Sequence, residues 1–445
     1  MRKFFFLVLA SCFISQVTLT AQASEILFRM HGSNTVGAKL APALVRGWLQ
    51  DNGYTQIHTT ELATEEINIL SRNKAGEQTL IEIKSHGSGT SFKSLKRRDA
   101  DIGMSSRPIK AKENNKLKAF GEMSRQGVEF VVGLDGIAVI VHPENPLMQL
   151  DKSVIKKIFT GKVTRWSDVD KSLSGKIQVY ARDNKSGTFD TFKALVMGKK
   201  SPLIKTALRY ESNDQLSDDV AADKLGIGFV GLPSVRRAKS LGVSDPGTQA
   251  KLPQKFDVAT EDYALARRLF LYAPKLDSNP YVKSFIAFSE SEVGQRIVDA
   301  SGFISQNLKL KTVEPVAGFP AEYLKLTSDG KRLSLNLRFR KGTTKPDNKA
   351  LRDISRLVDY LSKKENKRQR VMLFGFADAS ESHPAFSLDL STYRVDWVAD
   401  LLVQNGIDPI RVRAYGDAIP VASNEDAGGR HKNRRVEVWL HEARR

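Results

Sequence analysis

Two stretches of the chain echo one another: His31-Gly32-Ser33-Asn34-Thr35 and His86-Gly87-Ser88-Gly89-Thr90. Each follows a run of strand character (ILFRM, LIEIKS) and opens a run of helical spacing. A Gly-Ser turn at such a junction aims backbone N–H groups and hydroxyls outward at the positive end of a helix, a geometry that holds phosphate or another small oxyanion. A third junction, Arg182-Asp183-Asn184-Lys185-Ser186-Gly187-Thr188, adds a guanidinium whose fork suits phosphate. Any single Ser-Gly-Thr loop is more often a plain helix cap. Three of them at strand-to-helix junctions, one with an arginine just upstream, point to an anion site.

A second constellation lies near the C-terminus. Asp378 ends a predicted strand at 371–376, and Leu390-Ser391-Thr392-Tyr393-Arg394 is expected to open a helix with Ser391 as its N-cap. An acid facing an arginine in this way offers one acceptor and one donor fork, enough to clamp a zwitterion. The alternative is an internal Asp378–Arg394 salt bridge. No HExxH or GxSxG motif is present, and the seven histidines are scattered; His31 and His86 are expected to be loop residues with backbone partners. No catalytic residue, metal or cofactor is predicted.

The elements that must position these residues follow two patterns. From Glu25 to about Asn307, short apolar strands alternate with amphipathic helices, the signature of an α/β unit. One helix presents Leu40, Leu44, Val45, Trp48 and Leu49 on a common face; another, Ser153 to Thr160, presents Val154, Ile155, Ile158 and Phe159 and is stopped by Gly161. Residues 309–323 carry prolines and a glycine without periodicity and are predicted as a linker. Beyond it, Leu333, Leu335, Leu337 and Phe339 alternate with Arg332, Ser334, Asn336, Arg338 and Arg340, which predicts a half-buried strand. Two helices (Leu351 to Leu361; Val395 to Leu402) and two more strands complete a small α+β unit over 324–445.

The 445 residues hold 69 Lys+Arg against 50 Asp+Glu, with 41% hydrophobic residues, a globular composition that excludes wholesale disorder and multi-span membrane architecture. The net charge of +19 favours anionic partners. Residues 1–23, with Arg2 and Lys3 ahead of an apolar run and Ala21-Gln22-Ala23 after it, are predicted as a secretory signal. Cys12 falls inside it, so an exported chain carries no thiol; Leu9-Ala10-Ser11-Cys12 also admits a lipoprotein reading. Export makes nucleic acid the least favoured anion, and no transmembrane segment is expected in the mature chain. Basic runs such as Lys96-Arg97-Arg98 read as solvated faces.

Taken in order, HGSNTVG, HGSGT, DADIGMSSRPI, DGIAVIVHPENP, IKKIFTGKVTRW, RDNKSGTFDTF, IGFVGLP and YALARRLFLY resemble the PstS-type phosphate-binding periplasmic proteins over about 27–305. The resemblance implies a type II two-lobed α/β clamshell over 24–308 with a ligand cleft between its lobes. It further implies a phosphate site made by Ser33, Asn34, Thr35, Ser88, Ser106, Arg182, Ser186, Gly187 and Thr188, and an ABC permease as partner. Some phosphate binders of this family use an Asp after the small-Ser step to accept the ligand's proton and so reject sulfate. Here Ser105-Ser106-Arg107 stands there, so that route to selectivity is missing.

The stretches GFADASE, LSTYRVDWVADLLVQNGI and VRAYGDAIPVASNEDAGGRHKNRRVEVWL are similar to the OmpA-like peptidoglycan-binding domain. That implies a pocket of Asp378, Arg394, Ser387 and Arg435 for the diaminopimelate of the stem peptide. Ala377 stands where Thr is usual, Ser387 where Asn is usual, and the segment from Asp to Arg is one residue longer, which removes hydrogen-bonding groups from that pocket. Together the resemblances imply a non-enzymatic phosphate or oxyanion receptor held non-covalently on the wall, in the periplasm of a Gram-negative-type bacterium, serving uptake or sensing. The rival expectations are a wall adaptor that binds no small ligand and a phosphate-ester hydrolase.

Overall fold

The computed structural model describes residues 24–198, 200–314, 318–381 and 384–442. The predicted leader with Cys12 lies outside the described residues. No described helix is long and apolar enough to cross a membrane.

The first lobe is a mixed sheet in the order 55–63, 66–72, 78–84, 25–32, 102–105, 266–272, 129–141. The helical face read from the sequence (Leu40, Leu44, Val45, Trp48, Leu49) is buried against it together with Phe28 and Phe285. The strand Glu129–Val141 is what joins the lobes. Its first half pairs with Ala266–Tyr272 in the first lobe, and Ile137–Val141 pair with Gly226–Gly231 in the second. A continuous strand across the divide links the two cores. The second lobe adds the strands Gln178–Arg182 and Leu208–Tyr210. It is packed around Phe159, Phe189, Phe192 and Phe229, with the Phe192 and Phe229 rings stacked at 3.9 Å. Gly161, at φ +76°, stops the helix Lys152–Phe159 as its sequence implies.

The C-terminal unit is a five-stranded sheet in the order 310–311, 331–338, 435–442, 369–376, 411–414. Helices Asn348–Ser362 and Pro384–Gln404 bury Leu357, Val395, Val398 and Leu402 against Leu333, Leu335, Leu337, Val436 and Val438. Three expectations change here. The predicted linker contains Leu310–Lys311, an edge strand paired with Leu333 and Arg332. Ser391 is not an N-cap: the helix begins seven residues earlier, at Pro384, and the Ser391 hydroxyl donates to the Leu388 carbonyl at 2.8 Å.

The third change concerns the strand Lys331–Arg338, which is buried on both faces. Its polar side lies on the loop Thr260–Asp262 of the first unit: Asn336 Nδ2 donates to the Thr260 carbonyl at 2.7 Å and to Asp262 Oδ1 at 2.9 Å. Arg332 reaches Asp262 at 2.8 Å, and Arg338 donates to the Thr260 carbonyl at 2.7 Å. Nearby, Arg268 forks onto Glu261 at 2.7 and 2.8 Å and reaches Asp347 of the C-terminal unit at 2.7 Å. Lys432 donates to the carbonyls of Tyr263 and Ala264 at 2.7 and 2.8 Å. The two units therefore meet through a buried ion network, in which Arg332 Nε and Arg338 Nε and NH1 are left without hydrogen-bond partners.

Candidate oxyanion cleft and C-terminal charge cluster

The three junction loops converge where the lobes meet. Ser33 follows the strand Glu25–Gly32, and its amide is held by the Met104 carbonyl at 2.9 Å. Gly32 has φ +143°, and a Cβ there would stand 2.1 Å from that same carbonyl oxygen, so glycine is what lets the first loop approach the Ile102–Ser105 strand. Ser88 opens the helix Ser88–Arg97; its Oγ accepts from the Ser106 amide at 3.0 Å and lies 3.3 Å from the Ser106 hydroxyl. Ser186 caps the helix Gly187–Phe192, accepting from the Thr188 and Phe189 amides at 3.2 and 3.3 Å.

Contacts across the lobes bind these loops into one site. Thr35 Oγ1 is 3.1 Å from Thr188 Oγ1, and Arg182 donates to Asn34 Oδ1 at 3.3 Å. Gly187 sits on the serine pair so closely that a Cβ there would lie 2.2 Å from Ser88 Oγ and 2.3 Å from Ser106 Oγ. The nine residues named from the sequence thus lie on loops that meet between the lobes.

Arg182 is 1% exposed. Its Nε donates to the Tyr210 carbonyl at 3.2 Å, one terminal nitrogen also reaches the Glu211 carbonyl, and its NH1 has no partner. Burial lowers its pKa to about 10, with Asp183 opposing that shift and Arg267 adding to it. Ser33 Oγ is likewise buried without a partner. A guanidinium nitrogen and a hydroxyl, both desolvated and both unanswered, are costly unless a negatively charged guest receives them.

The sequence reading missed Arg267. It is 4% exposed, donates to Thr188 Oγ1 at 2.8 Å and is anchored on Asp135 at 3.0 and 2.5 Å. Its only signal was the pair Arg267-Arg268 in an otherwise apolar strand, where alternation sends one arginine into the cleft and its neighbour to the C-terminal unit. Arg107, the cation beside Ser106, is turned away: it forks onto Glu113 at 2.7 and 2.8 Å and reaches Asp190 at 3.0 Å. Asp101 accepts the Arg29 amide at 2.8 Å, a structural bond within the first lobe. At the mouth of the cleft, burial raises the Glu65 carboxyl, which hydrogen-bonds Asn34. His31 and His86 do not have the backbone partners expected; they pair with Glu82 at 2.8 Å and Glu66 at 2.9 Å.

In the C-terminal unit, Asp378 and Arg394 are fully buried but do not bond to each other. Arg394 forks onto Glu381 with two 2.7 Å bonds, and Asp378 accepts from Arg434 at 2.6 Å and from the Ser380 amide and hydroxyl at 2.8 and 2.6 Å. Burial pushes the Asp378 carboxyl up, but the Ser380 and Arg434 bonds outweigh it and hold the pKa below the usual range. Ser387 is 1% exposed on the helix Pro384–Gln404. Arg435 bonds Glu437 at 2.9 Å and stacks 3.8 Å over the Phe376 ring. Adjacent residues at the start of a strand point to opposite faces, so the arginine that meets Asp378 is Arg434.

Residues 53–293 match the PBP superfamily domain and residues 338–434 the OmpA family. The phosphate-binding protein PstS of Staphylococcus aureus (strain bovine RF122 / ET3-1) is 31% identical over 227 residues, covering 49% of this chain and 67% of that protein. Among solved structures, a phosphate ABC transporter substrate-binding protein with bound phosphate from Clostridium perfringens is 25% identical at a TM-score of 0.49, covering 63% of this chain and 99% of that one. An ABC-type phosphate transport receptor from Vibrio cholerae is 24% identical at a TM-score of 0.47, covering 62% and 98%. The chain belongs to the PBP superfamily, as a PstS-like substrate-binding unit fused to an OmpA-family C-terminal domain.

Proposed function

We propose that this protein is a receptor for phosphate, held on the cell wall by its C-terminal domain. The observation that carries the reading is the pair of buried donors without partners, Ser33 Oγ and Arg182 NH1, where loops from both lobes converge. An entering anion exchanges its water for these donors and the surrounding hydroxyls, and by touching both lobes it stabilises the closed arrangement. Ser106 and Ser88 present hydroxyls, which accept as readily as they donate, where a carboxylate would reject an unprotonated guest. Sulfate is therefore expected to compete with phosphate, with affinities within about tenfold of each other. Isothermal titration of the full chain with phosphate, sulfate and a phosphonate tests this. Arg182→Ala is expected to weaken phosphate by about tenfold or more, from loss of a charged hydrogen bond of about 1.5–3 kcal/mol; unchanged affinity would remove the site.

The OmpA-family domain supports peptidoglycan as the second partner. In this reading a stem-peptide carboxylate displaces Glu381 from the Arg394 fork, while its ammonium approaches Asp378. The double variant Asp378→Ala with Arg394→Ala is expected to abolish co-sedimentation with insoluble peptidoglycan and to leave phosphate titration intact. Retained co-sedimentation would move wall binding elsewhere. A place in the periplasm at the wall or outer membrane, and delivery of phosphate to an ABC permease or a sensor, follow from the two assignments together.

A further inference from the structure

The first lobe carries a second concave, strongly basic surface beside the cleft. A cavity of about 480 Å³ lies between the helices Ser88–Arg97 and Ala111–Lys116. Lys93, Lys96 and Arg97 face it from one helix, and Lys112 and Lys116 from the other. The one acid on its wall, Glu113, is already taken by the Arg107 fork. Arg97 is paired with Asp99 and Lys110 with Asp190. Among the described residues, Lys93, Lys96, Lys112 and Lys116 have no carboxylate within ion-pair distance.

This charge is not an ordinary solvated face of balanced sign. Lys96, Arg97 and Lys116 lie in the last turns of their helices, where cations are favourable, but Lys93 and Lys112 stand three or four residues before them and add like-charge repulsion toward the same hollow. The short helix Ala111–Lys116 buries none of its residues, so core packing does not account for it. A hollow ringed by cations of one sign concentrates their field, and a guest with several charges engages more than one of them at once. A flat lipid surface reaches such a concave wall less well than a compact soluble polyanion does. The position supports phosphate chemistry: the hollow starts at Gly89, next to Ser88 of the cleft, and its Lys110 bonds Asp190 on the helix that the third loop opens.

We infer that this groove binds a soluble anion carrying several linked phosphates. It is separate from the cleft, since none of its free lysines touches Ser33, Arg182 or Thr188. The test is titration of the full chain with sodium tripolyphosphate at about 50 mM and about 300 mM salt, beside orthophosphate, for wild type, K93E/K96E/K112E, the milder K93Q/K96Q/K112Q/K116Q, and Arg182→Ala. Expected results are tripolyphosphate binding that weakens with salt and falls at least about tenfold in both groove variants, with orthophosphate affinity kept within about twofold. Arg182→Ala is expected to do the reverse. Equal tripolyphosphate affinity in wild type and groove variants overturns the inference, as does loss of tripolyphosphate only in Arg182→Ala, which would place that ligand in the cleft. Pelleting with phosphatidylglycerol vesicles without any tripolyphosphate heat overturns it in favour of a membrane surface. Failure of orthophosphate alone, with the groove result as expected, would sink the cleft reading and leave this one standing.

Discussion

At the scale of single residues, the cleft depends on close approach as much as on charge. Gly187 lies so near the Ser88 and Ser106 hydroxyls that Gly187→Ala either turns those hydroxyls away or parts the lobes. Phosphate affinity is expected to fall by about tenfold or more with little change in melting temperature, since the clash is relieved within the cleft rather than by unfolding; titration beside a thermal melt checks both halves. The residues of the three loops were legible because Ser, Gly and Thr at strand-to-helix junctions have a local meaning. Arg267 was not, because a strand arginine gives no local sign of which face it serves. Arg434 was hidden in the same way: beside Arg435, only the start of the strand Arg435–Glu442 decides which of them meets Asp378.

At the scale of elements, period two in Lys331–Arg338 identified the strand correctly but not its surroundings. An alternating polar face reads as solvent-facing whether it meets water or a buried set of carboxylates, and here Arg332, Asn336 and Arg338 meet Glu261 and Asp262. Both the strand and the loop are needed to see this, and they lie some seventy residues apart. Removing one partner from such a network leaves the others buried and unanswered. Asp262→Asn is expected to cost about 3–5 kcal/mol, read as a lower midpoint in urea unfolding of the full chain. A change under about 1 kcal/mol, the size of an exposed pair, would mean that the junction is solvated. The Ser391 cap failed for a related reason: its Leu-Ser start looked local, but the helix already runs from Pro384, so Ser391 lies inside it.

At the scale of the whole molecule, the junction makes the two units titrate together. Burial raises the carboxyls there, but facing cations outweigh it: Arg268 and Arg338 hold Glu261 at about 2, and Arg332 holds Asp262 well below its usual range. Folded values below unfolded ones mean stability that is present above about pH 4.5 and lost as pH falls toward 2. Urea midpoints are expected to hold between pH 7 and 5 and to drop between pH 4.5 and 2; a flat profile over that acid range would contradict the network. Lys432 works in the opposite sense, since burial lowers it to about 8, so it costs stability at neutral pH and the cost eases as pH rises above 8. The strand Ala266–Tyr272 touches both halves of this arrangement, with Arg267 on Thr188 in the cleft and Arg268 on Asp347 across the junction.

The proposed site holds one oxyanion between the lobes on Ser33 and Arg182, and a crystal structure of the full chain with phosphate decides whether it does. The expected density is a phosphate whose oxygens lie within hydrogen-bond distance of Ser33 Oγ and Arg182 NH1 while Gly187 remains against Ser88 and Ser106. Phosphate bound elsewhere, or a closed cleft from which it is absent at saturating concentration, would rule out that site.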